Sequence, residues 1–293
     1  MARWQAFNGE NDAVRQFCPP RIPHHLKLND LPMHASSLDF IPLWCYLPLI
    51  LAISLLTLES GYQLGKWRHS RTAEEKEAPV AAMVAAILGL LAFMLAFTFS
   101  MAASRFDARR QAVLEEANAL GTTNLRAQLL PEPEGSEIAR LLRRYIELRA
   151  QKITPENIGD LQAESEKLHE LLWSQAVAAA EKNPESIMTG LFLESLNESI
   201  DLHSKRVFVG LYSRIPITIW LMLLGLVVLG MISLGYQAGL SETRRSLAMP
   251  IFALAFACVL YLIVDLDRAH EGLLQISQQA MVDLHNSMQA SQP

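Results

Sequence analysis

Phe93, Phe97 and Met101 are spaced by four, so on a helix they form one row, with Phe99 and Ser100 close by. If several copies of such a helix surround an axis, the row lines a narrow apolar constriction that gates ions by dewetting. Contact with lipid or packing between helices uses the same residue types. A second group, Asp265-Leu266-Asp267-Arg268, closes an apolar run. Carboxylates at the edge of hydrocarbon are costly unless they are paired or solvated. Alternating membrane crossings put this end on the same side as Arg105, Arg109, Arg110, Arg206 and Arg214. A belt of ion pairs joining Asp265 and Asp267 to Arg105, Arg109 and Arg268 is the main reading, and a solvated interfacial turn is the alternative.

Other chemistry is sparse. The chain has no Gly-rich phosphate loop, no His-Glu-x-x-His, no Gly-x-Ser-x-Gly and no His/Cys cluster at metal-ligand spacing. No catalytic, cofactor or metal residue is expected, and an enzyme is not the reading. His203 lies on an otherwise apolar helix face, as a hydrogen-bonded core histidine does. Asn197 and Asp201 are four apart on another face, where capping or a subunit contact explains them as well as a site. Cys18, Cys45 and Cys258 form no framework. The formal net charge of −5, without a basic run, gives no sign of nucleic-acid binding.

The elements that position these residues are apolar. Phe40 to Leu58, Ala78 to Ser104, Ile215 to Ser241 and Ser246 to Val264 contain no Asp, Glu, Lys or Arg. About 20 such residues cross the roughly 30 Å of hydrocarbon, and in lipid a chain must satisfy its own backbone hydrogen bonds. The expected fold is therefore an all-α integral membrane protein with four transmembrane helices, about 40–64, 78–104, 215–238 and 246–265. The lipid bilayer is the first partner. Residues 1–32 show no sustained period and read as an extension outside the fold, with Met33 as a natural start.

Residues 105–214 read as a helical extramembrane domain. Phe106, Val113, Ala117 and Leu120 continue a stripe beyond the second span. Pro131 and Pro133 break the chain, and a helix starts near Ser136 with Ile138, Leu141, Leu142, Tyr145 and Ile146 on one face. Thr154-Pro155-Glu156 and Asn183-Pro184-Glu185 look like helix starts for about 157–182 and 184–213. The last helix carries Leu193, Leu196, Ile200, His203 and Val207 on one face, and Pro216 kinks its junction with the third span. Residues 269–293 form a tail. Gly61 and Gly65 share a helix face, which allows close approach of another helix or marks an interfacial turn beside Tyr62 and Trp67. Eight Lys and Arg near the spans on the domain side face six on the loop side, which leans toward a cytoplasmic domain.

Several segments resemble a family. Phe97-Thr98-Phe99-Ser100-Met101-Ala102-Ala103-Ser104-Arg105-Phe106-Asp107-Ala108-Arg109-Arg110 and Glu115-Glu116-Ala117-Asn118-Ala119-Leu120-Gly121-Thr122 are similar to the bacterial bestrophin-like family. Arg143-Arg144-Tyr145, Asn197-Glu198-Ser199-Ile200-Asp201-Leu202-His203, Arg214-Ile215-Pro216, Asp265-Leu266-Asp267-Arg268 and Ile276-Ser277-Gln278-Gln279 extend the resemblance, in order, from Met33 to about residue 285. The resemblance implies a distant likeness to bestrophins, pentameric anion channels whose second helix lines the pore. It implies a homo-oligomer in the bacterial cytoplasmic membrane, small inorganic anions as cargo, and Phe93 and Phe97 as neck residues. The acidic calcium cluster of the animal channels is not seen, so calcium gating does not carry over. Two functions remain in view: an ion channel, which needs a ring of subunits, and a membrane-anchored scaffold whose helical domain binds a partner protein.

Overall fold

A computed structural model describes residues 41–71, 77–154, 157–241, 247–268 and 272–290. The N-terminal extension, Pro155-Glu156 and the loop residues Lys76, Arg244 and Arg245 lie outside them. The described residues fall within one compact unit, Ile41–Pro293. They are helical: α1 (Leu43–Arg71), α2 (Glu77–Ala127), α3 (Glu134–Ala150), α4 (Ile158–Lys182), α5 (Ile187–Val207), α6 (Ile217–Leu240), α7 (Ala248–Asp267) and α8 (Gln279–Ala290). Four helical segments are long and apolar enough to cross a membrane, within α1, α2, α6 and α7.

Helix α2 is the longest element, at 51 residues or about 76 Å. Pro79 sits in its first turn, where a missing N–H costs nothing, and no proline follows before Pro131. Its inner stripe in the apolar half is Val84, Leu91, Leu95, Thr98 and Ala102, all buried. The helix then runs on through Gly121, beyond where the apolar stripe gives out, and carries the membrane half into the polar half without a joint.

Glycines set the packing of α1 on α6. A Cβ on Gly61 would meet the backbone of Ile232, and one on Gly65 would lie 3.0 Å from the Gly239 Cα. In return, Gly235 faces the backbone of Leu58 and Tyr62, and Gly239 faces Lys66 N at 2.8 Å. With no hydrophobic force between helices in lipid, such close contact is what holds them together. Of the two readings of Gly61 and Gly65, the structure shows the close approach.

The polar half has its own core. Ile138, Leu141, Leu142, Tyr145 and Ile146 of α3 pack with Val113, Ala117 and Leu120 of α2, Leu168 and Leu172 of α4, and Phe192 and Leu196 of α5. Several expected boundaries need correction. Helix α5 starts at Ile187 rather than 184, because Ser186 takes the cap position and its hydroxyl accepts the Thr189 N–H at 3.2 Å. It ends at Val207 in a π turn, Phe208–Tyr212, closed by Ser213 N–H donating to Phe208 O at 3.2 Å. Pro216, in extended geometry with ψ 139°, heads α6 rather than kinking one continuous helix. The buried face of α5 keeps Leu196 and His203 of the expected stripe but takes Phe192, Ser199 and Arg206 where Leu193, Ile200 and Val207 are expected, because small and charged side chains occupy interior sites. Residues 279–290, read as part of a tail, form α8, whose Met281 and Met288 enter the core.

Candidate functional site

The aromatic row faces away from the subunit. Phe93 is 66 % exposed and Phe97 54 %, while Leu91 and Leu95 on the inner face are buried; Met101 is half-buried at the end of the row. The chain's own packing therefore does not use these two rings.

At the membrane edge Arg109 and Arg214 reach the main-chain carbonyl of Asp267, while the Asp265 carboxylate is held by main-chain N–H groups rather than by an arginine among the described residues. The Asp265 carboxylate accepts the N–H groups of Leu273 at 2.9 Å and Leu274 at 3.2 Å. It thereby ties the end of α7 to the segment that follows, where Gly272 takes φ +119°. Asp267 Oδ1 accepts the Ile215 N–H at 3.0 Å, within the positive fields of Arg214, Arg109 and Arg105. Arg109 donates from Nε to Val209 O (3.2 Å), from Nη1 to Leu266 O (3.0 Å), and from Nη2 to Ser213 O (2.8 Å) and Asp267 O (3.0 Å). One buried guanidinium thus satisfies the carbonyls that the π turn and the end of α7 leave open. Arg268 donates to Ile41 O at 2.7 Å and lies over the Tyr46 ring. Arg105 keeps a buried Nη1 without a hydrogen bond.

A second site lies in the polar core. Glu116 of α2 is fully buried. Arg206 Nη1 donates to its Oε2 at 2.5 Å, Arg149 Nη2 to the same oxygen at 3.3 Å, and the Tyr145 hydroxyl to Oε1 at 2.8 Å. His203 Nδ1 stands 2.9 Å from the Tyr145 hydroxyl, and the His169 ring packs on both, with centroids 4.7 Å and 4.8 Å away. Burial, with the neighbouring His203, depresses the His169 pKa to about 3, so this imidazole is neutral. Burial and the adjacent Glu116 carboxylate push the Tyr145 phenol well above its ordinary range, which keeps it a donor. Arg149 Nε lies 3.3 Å from Glu116 Oε1 but off the hydrogen-bonding direction, so this second contact adds charge attraction to the hydrogen bond from Nη2.

Only His203 of this constellation stands out in the sequence as a buried polar group. The signal is there in the stripes. Val113, Ala117 and Leu120 define an inner face on which Glu116 falls, three after Val113 and one before Ala117. Arg149 continues the face of Tyr145 and Ile146, and Arg206 lies three beyond His203. Charges that continue a buried stripe must find each other.

Beside this network lies a cavity of about 100 Å³, between the π turn, the ends of α3 and α5, the start of α4 and residues 275–278. Arg109, Arg149, Lys152 and Arg206 line it, with no carboxylate in the lining among the described residues.

Four apolar helical spans among the described residues, with α2 running on unbroken into a helical domain built around a buried carboxylate, define an all-α multi-pass membrane protein. Residues 51–281 match the family model of the Bestrophin-like domain. The chain belongs to the bestrophin-like family. No curated protein matches it in sequence. Among solved structures, a leucine-to-threonine variant of a bacterial bestrophin homolog from Klebsiella pneumoniae superposes with a TM-score of 0.60 at 18 % identity, covering 85 % of this chain and 99 % of that one. An aspartate-to-alanine variant of a bestrophin homolog from that organism gives 0.59 at 17 % identity, covering 87 % and 98 %. The fold is shared with both.

Proposed function

We propose that the chain is one subunit of a homo-oligomeric anion channel in the bacterial cytoplasmic membrane, with α2 lining the path and Phe93 and Phe97 forming its apolar neck. The observation that carries this reading is the outward row on α2. Two phenyl rings are exposed on a helix whose opposite face holds the subunit together. Exposed apolar side chains also occur far from the charge-free spans: Leu125 of α2, Leu129 in the turn after it, and Ile187 and Met188 of α5. Arg126, donating to Leu191 O at 2.7 Å, brings these two helix ends together. Contact between subunits would cover them, since contiguous exposed apolar patches mark interaction surfaces.

The neck is a barrier because ions must shed water to pass it, so smaller side chains admit water and raise the leak. Phe93→Ala combined with Phe97→Ala increases anion flux from liposomes above wild type, while Leu224→Ala, on exposed α6 surface, does not. A solubilised protein that runs as a monomer, with no flux in either form, refutes the channel and favours the scaffold. The charge distribution supports a cytoplasmic polar half. Single cysteines at Glu164 and Ser70, in a background without native cysteines, test it: in intact cells an impermeant thiol reagent labels position 70 and not 164.

A further inference from the structure

We infer that the cavity beside the Glu116 network binds a small oxyanion of the size and charge of phosphate, at a site off the aromatic row. The argument begins with charge. Four cationic side chains line the cavity: Arg109, Arg149, Lys152 and Arg206. Among the described residues Glu116 is the one carboxylate hydrogen-bonded to Arg149 and Arg206, so that cluster keeps an excess positive charge, with His169 neutral beside it. Arg109 feels Asp267, but that carboxylate is shared with Arg214 and Arg105. Lys152 has no acidic partner among the described residues.

Donor geometry points the same way. Arg149 is more than nine-tenths buried; its Nη2 donates to Glu116 and its Nε faces the same carboxylate at 3.3 Å, which leaves Nη1 without a hydrogen bond among the described residues. A buried guanidinium with an idle nitrogen is expensive unless something accepts from it. The fork of a guanidinium matches an oxyanion bidentately, a lysine adds a mobile point charge, and Gln162 and Gln275 in the lining each keep one amide N–H beyond the long bonds they make to Glu166 (3.4 Å) and Gly272 O (3.5 Å). About 100 Å³ accommodates such an ion, since one water needs roughly 10–15 Å³ by the same kind of measure. The Phe208–Tyr212 π turn forms one wall through Gly210 and Leu211, and π turns of this kind recur at functional sites.

A free phosphate and a lipid headgroup both present an anionic phosphate, and a headgroup is a candidate source because Arg109 of the lining also binds the carbonyls that end α7. The test is equilibrium dialysis of the full-length protein in neutral detergent against radiolabelled inorganic phosphate at constant ionic strength. The expected result is saturable binding of one phosphate per chain. Lys152→Glu and Gln162→Glu each put a carboxylate at the rim without touching Glu116, and each weakens binding by about tenfold or more. Lys167→Glu, exposed on α4 outside the cavity, leaves it unchanged. Phosphatidylglycerol added to the micelles that displaces the phosphate assigns the site to a headgroup; phosphate retained assigns it to a soluble anion. Absence of saturable binding up to about 10 mM, a concentration marking only about 2.7 kcal/mol of affinity, overturns the site. Equal binding in wild type and both rim variants overturns it too. Dialysis reads no flux, so failure here and failure of the channel reading are distinguishable.

Discussion

Replacing Glu116 by Gln keeps the shape of the side chain and one carbonyl oxygen while removing its charge. Two buried guanidiniums, Arg149 and Arg206, then lose the carboxylate that faces them at 3.3 Å and 2.5 Å. Removing one partner of a buried pair costs about 3–5 kcal/mol, chiefly because the remaining charge stays buried without compensation. With about 2–4 °C per kcal/mol for a chain of this class of size, that is a fall of roughly 6–20 °C in Tm. Glu115, its neighbour, is the control: it pairs with Lys205 at 2.7 Å on the exposed side, where a salt bridge contributes about 0–1 kcal/mol. Trp173, packed against the polar core, supplies an intrinsic fluorescence probe for thermal unfolding in detergent. The charge argument makes a further demand. Adding Arg149→Met and Arg206→Met to Glu116→Gln restores most of the loss, because no buried charge is then left unpaired. A Tm for Glu116→Gln within 2 °C or so of the Glu115→Gln value would refute the reasoning.

Two further outcomes follow from the geometry. At Gly272 an added Cβ would run into the Asp265 carboxylate and approach Leu43 Cδ2 to 3.1 Å, at a φ of +119° that side chains rarely adopt. Gly272→Ala therefore destabilises by at least about 2 kcal/mol and exposes residues 273–278 to limited proteolysis; an unchanged cleavage pattern and Tm would contradict this. His169 is neutral in the fold with a pKa of about 3, so its unfolded form, near 6.5, binds the extra proton between those values. Its contribution is present in full above about pH 6.5 and falls by up to about 1.4 kcal/mol per pH unit as pH drops toward 3. His169→Leu flattens the wild-type stability profile below pH 6.5, and parallel profiles for the two proteins would dismiss the assignment.

Much of this architecture is legible in residue order, because hydrocarbon imposes length and apolarity so strictly. The four charge-free runs find their helices, and the Ile138, Leu142, Tyr145 stripe finds its core. The outward turn of Phe93 and Phe97 needs the other face of α2 to be known, since both faces of a membrane helix are apolar. Glu116, Arg149 and Arg206 are hard to see for the opposite reason. Each looks like a surface residue alone; its place on a buried stripe hints at an interior position, and the packing of α2, α3 and α5 shows that the three charges share one interior. The last helix escapes notice because it is only twelve residues long and its core-facing stripe is limited to Met281, Leu284 and Met288. Serine at 186 rather than the proline at 184 starts α5, since a hydroxyl in extended geometry satisfies an open N–H directly.

The unbroken course of α2 makes it a shaft rather than a string. Phe97 and Glu116 are nineteen residues apart on one helix, about 28 Å along its axis, with neither proline nor glycine between them. A tilt of about 5° pivoting at Arg109 carries the Phe97 ring sideways by roughly 1.6 Å, about the width of a carbon–carbon bond. Rotation about the long axis likewise turns the phenyl row and the buried carboxylate through one angle. Helix α2 therefore joins the point where Arg149 and Arg206 hold Glu116 to the aromatic row by one continuous run of helix, without a proline or glycine hinge between them.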